Sequence, residues 1–122
     1  MRYVRIYADD LGETHFEDVA LHGTTRQSPV STGISEYADA IPVEAAVFRR
    51  VVAAHPAEPH VAPCRQFAVH LEGRTEVEVS DGEVRLFGPG DVVLLEDTVG
   101  KGHVTREVGG GPRTSLFIEL RA

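Results

Sequence analysis

Cysteine and long apolar runs are both scarce in this chain of 122 residues. The one cysteine, Cys64, has no second cysteine with which to form an internal disulfide, which favours a reducing compartment such as the cytoplasm. No apolar run approaches the ~20 residues that a membrane-spanning helix needs. The N-terminal stretch also lacks the apolar core of a signal peptide. These absences predict a soluble cytoplasmic protein without a membrane segment.

Basic residues are scarce as well. Twelve Lys and Arg stand against nineteen Asp and Glu, so the net charge at neutral pH is -7. Nucleic acids and anionic membranes are bound through basic surfaces, and both are therefore disfavoured as partners. The length is that of one domain with a single modest core. The expected partner is a small-molecule ligand or substrate, or another protein.

The first half of the chain alternates between strand patterns and segments without a period. Residues 3–7 and 14–21 have the alternation of short strands. Residues 23–42 are rich in Gly, Ser, Thr and Pro, which predicts a long ordered loop. Residues 43–52 mix helix-favouring alanine with strand-favouring valine and phenylalanine, and the neighbouring strands favour a strand. Three prolines in residues 55–63 predict a further loop. The side chains expected to anchor the long loop are Ile34, Tyr37 and Ile41.

The second half is more regular, with short strand patterns separated by glycine-rich turns. Asp81-Gly82 is the strongest hairpin signal in the chain, because this dipeptide favours a two-residue turn between antiparallel strands. Many short strands, Gly/Pro turns and no convincing helix predict an all-β protein, a double-sheet sandwich or jelly roll. The strands predicted here are residues 67–71, 75–80, 84–87, 92–95, 103–108 and 115–120.

One motif in this half ends at a histidine. Gly90-Asp91 opens an apolar strand, and Thr98-Val99-Gly100 then leads to Gly102-His103. This order resembles the second motif of the cupin superfamily, small β-barrels that hold a metal or a ligand inside. In that motif a P-x-G turn occupies the place of Thr98-Val99-Gly100.

The first cupin motif has a resembling stretch upstream, with two differences. The cupin motif contains an HxH pair, a glutamate a few residues later and a glycine after six further residues. Aligned on Gly73, the glutamate position falls on Gln66, and the two histidine positions fall on His60 and Ala62. The chain also resembles a subgroup of small bacterial cupins with the patterns H-x-A-P-x-R-Q and E-D-T-x-G-K-G-H, here residues 60–66 and 96–103.

The resemblance implies a fold and an organisation for the whole chain. The fold would be a single cupin-type jelly-roll β-barrel spanning residues 1–122. Residues 1–52 would supply the N-terminal strands and the long loop, residues 60–108 the motif core, and residues 113–120 the final strand. Related small cupins often pair through their outer sheet, so a homodimer is expected.

Strand alternation extends the candidate site beyond the motif. Gln66, Ala68 and His70 share one face of their strand, and the apolar residues between them, expected to pack between the sheets, share the other. If Gln66 faces the barrel lumen as the cupin glutamate does, His70 faces it too. Three imidazoles suit Zn, Fe(II), Ni or Cu. In the alternative, His70 is a buried histidine and Gln66 has lost the metal. The candidate metal ligands are His60, Gln66, His70 and His103.

Charged residues near this stretch are candidates for binding substrate. Arg49 and Arg50 are adjacent on a predicted strand, so one of them should face the lumen, where an arginine would bind a carboxylate through paired hydrogen bonds. Arg49 and Glu96 are the predicted substrate-binding residues. Glu96 or Asp97 could also orient His103 as a hydrogen-bond acceptor, although simple turn chemistry is the favoured interpretation of this pair.

The resemblance implies a small-molecule enzyme acting in the barrel mouth, with oxygenase, isomerase, lyase or cyclase chemistry. With a metal, the ion would act as a Lewis acid or oxygen activator. Without one, His70 or His103 would act as the catalytic acid or base near neutral pH. The alternative is a non-catalytic ligand-binding or sensor protein, because a fold does not determine a function.

Overall fold

The computed structural model describes residues 1–53 and 55–121. The all-β prediction is confirmed, since every regular element in these residues is a strand. No helix in the described ranges is long and apolar enough to cross a bilayer. The strands are β1 (Arg2–Ala8), β2 (Thr14–Ala20), β3 (Thr24–Gln27), β4 (Ile34–Tyr37), β5 (Val43–Val51), β6 (Gln66–Glu72), β7 (Arg74–Val79), β8 (Val84–Phe87), β9 (Val92–Leu95), β10 (His103–Val108) and β11 (Arg113–Leu120).

Two sheets form the body of the fold. The large sheet has the order β2-β1-β9-β6-β11-β5, and the small sheet has the order β10-β7-β8. All pairings are antiparallel except that of β1 with β9. This arrangement of sequence-distant neighbours in two sheets is consistent with a jelly roll.

A small apolar core joins the two sheets. Ile6 and Val79 are each 1 % exposed, and they come from opposite sheets. Three members of the cluster also line the cavity described below, so the core forms one wall of the site. The core residues are Ile6, Phe16 and Val93 from the large sheet and Val77, Val79 and Phe87 from the small sheet.

The prediction of a long loop for residues 23–42 is wrong, because this segment contains a β-hairpin. Strands β3 and β4 pair antiparallel, with Thr24 opposite Tyr37, and Ser28 N–H donates to the Gly33 carbonyl across the turn. Ile34 and Ile41 are 77 % and 46 % exposed, so they are not buried anchors within this chain. The β-branched residues of this segment favour strands. The turn of residues 28–33 interrupts their alternation, so the strand pattern is not recognisable in the sequence.

The prediction that the apolar face of β6 packs between the sheets is also wrong. Phe67 contacts Tyr3 edge to face, with ring centroids 5.2 Å apart, and Leu71 is 45 % exposed. Phe67, Val69 and Leu71 therefore lie on the outer side of the large sheet rather than between the sheets. The inner face is the polar one because it lines a cavity.

Candidate functional site

A cavity of about 830 Å³ lies between the two sheets, beside the core. Gln66 and His70 reach it from β6, His103 from the start of β10, and His60 from the loop before β6. All four predicted ligands therefore line one cavity, and the placement of His70 on the lumenal face is confirmed.

His103 is held by a buried carboxylate. Its Nδ1 lies 2.5 Å from Asp97 Oδ2, and the two side chains are 5 % and 0 % exposed. The other oxygen of Asp97 has no hydrogen-bond partner among the described residues. When Nδ1–H donates to the carboxylate, Nε2 carries the lone pair of the neutral ring. The pair therefore presents an oriented base to the cavity.

The turn before His103 brings His60 against it. The two residues form a β-bridge, with backbone N–H···O distances of 3.0 and 2.9 Å, and their ring centroids are 4.6 Å apart. Gly102 has a φ of +72°, and a Cβ there would lie 2.3 Å from the His60 carbonyl oxygen. Only glycine fits this crossing, so Gly102 determines how closely the imidazoles approach.

His70 has different surroundings. Its Nδ1 is 3.3 Å from the Asp91 carbonyl oxygen, and its ring stacks on Phe87 at 5.7 Å. Burial lowers the pKa of His70 below its usual value, and the hydrogen bond to Asp91 offsets only part of this effect. His70 is therefore a neutral imidazole near pH 7.

The predicted three-histidine metal site is not assembled in the described part of the chain. No group of three or more His, Cys, Asp or Glu side chains lies close enough there to hold a metal ion. The Gln66 amide adds a neutral oxygen, which stabilises a divalent cation less than a carboxylate would. The metal stays a prediction.

Gln66 belongs to a polar group that includes Glu119, a residue that was not predicted for the site. Glu119 lies opposite Gln66 on β11, and Cys64 Sγ lies 3.7 Å from Gln66 Oε1 and 3.6 Å from Glu119 Oε1. Burial, and then the Glu119 carboxylate, raise the pKa of Cys64. Cys64 is therefore a thiol donor and not a reactive thiolate.

Two arginines line the cavity near His70. Arg49 faces inward over Phe117, with its guanidinium carbon 4.6 Å from the ring centroid, whereas Arg50 points away towards Glu72. The placement of Arg49 in the lumen agrees with its predicted role. Arg113, the first residue of β11, was not predicted as a site residue, because a charged side chain is usually exposed.

Glu96 does not occupy the predicted substrate-binding position. Its oxygens lie 2.5 Å from Arg5 Nε and 2.7 Å from Arg65 Nε, and its side chain is not part of the cavity wall. Burial raises the pKa of Glu96, but the two arginines outweigh it and the net pKa is lowered. The adjacent Asp97 contacts His103, so the favoured interpretation of simple turn chemistry is wrong for Asp97.

Comparison of the chain with protein-family models finds no match, and comparison with curated proteins finds none either.

Proposed function

We propose that this chain is an enzyme that moves a proton on a small molecule bound in the cavity, with His103 as the catalytic acid and base. The observation that carries the proposal is the buried contact between His103 Nδ1 and Asp97 Oδ2. A carboxylate behind an imidazole fixes the tautomer and stabilises the imidazolium that forms when Nε2 takes a proton. The same imidazolium returns the proton in a second step, as isomerase and lyase reactions require.

The remaining polar groups of the cavity would position the substrate. His60 lies beside His103, and Gln66 offers an amide that can both donate and accept hydrogen bonds. His70, a second neutral imidazole, is held by a backbone carbonyl, and no carboxylate of the described residues bonds its ring. The proposed catalytic role therefore falls on His103 in preference to His70.

The resemblance to cupins remains part of the proposal. It is supported by the two-sheet fold and by the presence of both motif histidines in one cavity. A divalent metal held by the predicted ligands would act as a Lewis acid, but no step here is assigned to it. The proposed compartment is the cytoplasm, because Cys64 is the one cysteine of the chain.

A non-catalytic ligand-binding protein is the second candidate. Asp97 accepts a hydrogen bond from Ala62 N–H through its carbonyl and contacts His103 through its carboxylate. These bonds connect the chain before β6 to the start of β10, so they would also be useful in a protein that performs no chemistry.

Hydrogen exchange distinguishes the two candidates. The protein is incubated in D₂O with a panel of organic acids that carry an acidic C–H bond, and ¹H NMR follows the loss of that signal. General acid–base catalysis contributes about 10²- to 10⁴-fold. We expect His103→Gln and Asp97→Asn to lower exchange by at least about 10²-fold, whereas His22→Gln, an exposed control, leaves it unchanged.

Bound acid without exchange in the parent protein would favour the ligand-binding candidate. Exchange that persists in His103→Gln would contradict the role of His103.

A further inference from the structure

We infer that the end of the cavity at Arg113 and Arg49 binds the carboxylate of an elongated organic acid whose apolar body extends towards His103. The inference rests on the proposed function insofar as this acid would be the substrate. The binding itself requires no catalysis.

Arg113 is a buried cation with incomplete bonding. It is 7 % exposed, its Nη1 donates to Thr75 Oγ1 at 3.0 Å, and its Nε has no hydrogen-bond partner among the residues described. No carboxylate in those residues forms an ion pair with it. An unpaired buried charge is costly, so an anion from outside the chain would satisfy this group.

Arg49 adds a second positive charge at the same end. It extends from the edge strand β5, remains accessible to solvent, and pairs in register with Ser115, which in turn pairs with His70. Partial burial, and then the positive charge of Arg113, lower the pKa of Arg49. An anion between the two guanidiniums would relieve this repulsion.

A carboxylate matches the donors at this end of the cavity. A guanidinium presents a planar fork of N–H donors that matches the two oxygens of a carboxylate. One oxygen would accept from the free Nε–H of Arg113, and the other from Arg49. A guanidinium fork also matches a phosphate, so a phosphate ester is the competing anion.

The strand register gives the length of the ligand. Thr75, which bonds Arg113, and Val79, which pairs with His103, are four residues apart on β7. At ~3.3 Å per residue this separation is roughly 13 Å. The wall between the two ends is mostly apolar and contains Ala68, Val77 and Phe117, with the polar Thr105 beside Val77. A ligand that contacts both ends therefore carries its carboxylate and its reactive carbon at opposite ends of an apolar body.

Calorimetric titration with butanoate, hexanoate and octanoate, and with the alcohols of equal chain length, tests this assignment. A buried methylene contributes about 0.8 kcal/mol, so affinity should rise about fourfold per methylene. We expect octanoate to bind at least about tenfold more tightly than octanol. Arg113→Gln should abolish this difference without weakening octanol, whereas Arg2→Gln, an exposed arginine on β1, should preserve it.

Arg49→Gln is a second test variant, on an exposed edge strand, for the case that Arg113→Gln does not fold. It should lower the ratio of the affinity for octanoate to the affinity for octanol. Equal affinities for octanoate and octanol in the parent protein would overturn the assignment. So would tighter binding of octyl phosphate than of octanoate. Octanoate binding in a protein that catalyses no hydrogen exchange would leave the carboxylate site intact and reject only the proposed catalysis.

Discussion

Three of the histidines that line the cavity share one arrangement at the residue scale. In His60, His70 and His103 alike, Nδ1 lies within hydrogen-bond distance of an oxygen, which leaves Nε2 as the free nitrogen. The acceptor is a backbone carbonyl for the first two and the Asp97 carboxylate for the third. A charged acceptor stabilises an imidazolium more than a neutral one does. This difference separates the proposed acid–base residue from its two neighbours.

His15 should make the stability of the fold depend on pH. The hydrogen bond that His15 donates to Asp9, and then the one that it donates to Asp81, raise the pKa of His15 above 6.5. The contribution of His15 to the free energy of unfolding is therefore fully present below the unfolded-state pKa. It is lost as the pH rises through the higher folded-state pKa. We expect His15→Gln to lower the melting temperature more at about pH 5.5 than at about pH 9. Equal losses at both pH values would contradict this linkage, and His22→Gln is the control.

The substitution Gln66→Glu tests whether the predicted metal binds at this position. The new carboxylate would lie opposite Glu119 in a buried position, where repulsion and desolvation both oppose its ionisation. Without metal, we expect a loss of about 1–3 kcal/mol in unfolding free energy near pH 8. Thermal unfolding with Zn²⁺, with Ni²⁺ and with EDTA provides the measurement.

The control for that change is Gln27→Glu on the exposed strand β3, which should alter the melting temperature little. A gain in stability with Zn²⁺ or Ni²⁺ that is specific to Gln66→Glu would support a metal at this position. The same loss under all three conditions would count against it.

At the scale of elements, the turn into β10 determines the geometry of the site. Gly102→Ala combines a positive φ with a clash against the His60 carbonyl, whereas Gly82 has a φ of +97° and open space around it. We expect losses in unfolding free energy of roughly 2–4 kcal/mol for Gly102→Ala and about 1 kcal/mol for Gly82→Ala. Denaturant unfolding measures both. Equal losses would show that the contact with His60 costs nothing.

Most strands were predictable because alternation and turn chemistry are local. The pattern after residue 65 gave β6 to β10 within one residue at each end. Arg113 was missed because a buried charge contradicts the hydropathy by which strands are recognised. The contact between Asp97 and His103 depends on the chain crossing at Gly102, which residue types do not reveal. From residue type alone, Asp97 was predicted to be an ordinary turn residue. The motif placed four side chains in one cavity without giving the distances between them.

At the scale of the whole molecule, exposed apolar side chains concentrate in one stretch. Strand β5 is the edge of the large sheet, and Phe48 at its centre is 73 % exposed. An open apolar edge strand readily pairs with another chain. Exposed apolar residues of this stretch are Val30, Ile34, Ile41, Val43, Val47, Phe48 and Val52. A second copy of this chain is the proposed occupant, in agreement with the expected homodimer.

Antiparallel pairing of two β5 strands about a twofold axis at Val47 would place Glu44 of one copy opposite Arg50 of the other. Opposite charges across a strand pair stabilise it, and the symmetry would form this contact twice. We expect the parent protein to be a dimer by light scattering after gel filtration, and the Phe48→Lys variant to be a monomer.

The control is Leu86→Lys, on the exposed edge strand β8, which should remain a dimer. Glu44→Arg should weaken the dimer, and Arg50→Glu added to it should restore association. A parent protein that is monomeric across a concentration series, or a dimer that Phe48→Lys leaves intact, would rule out this interface.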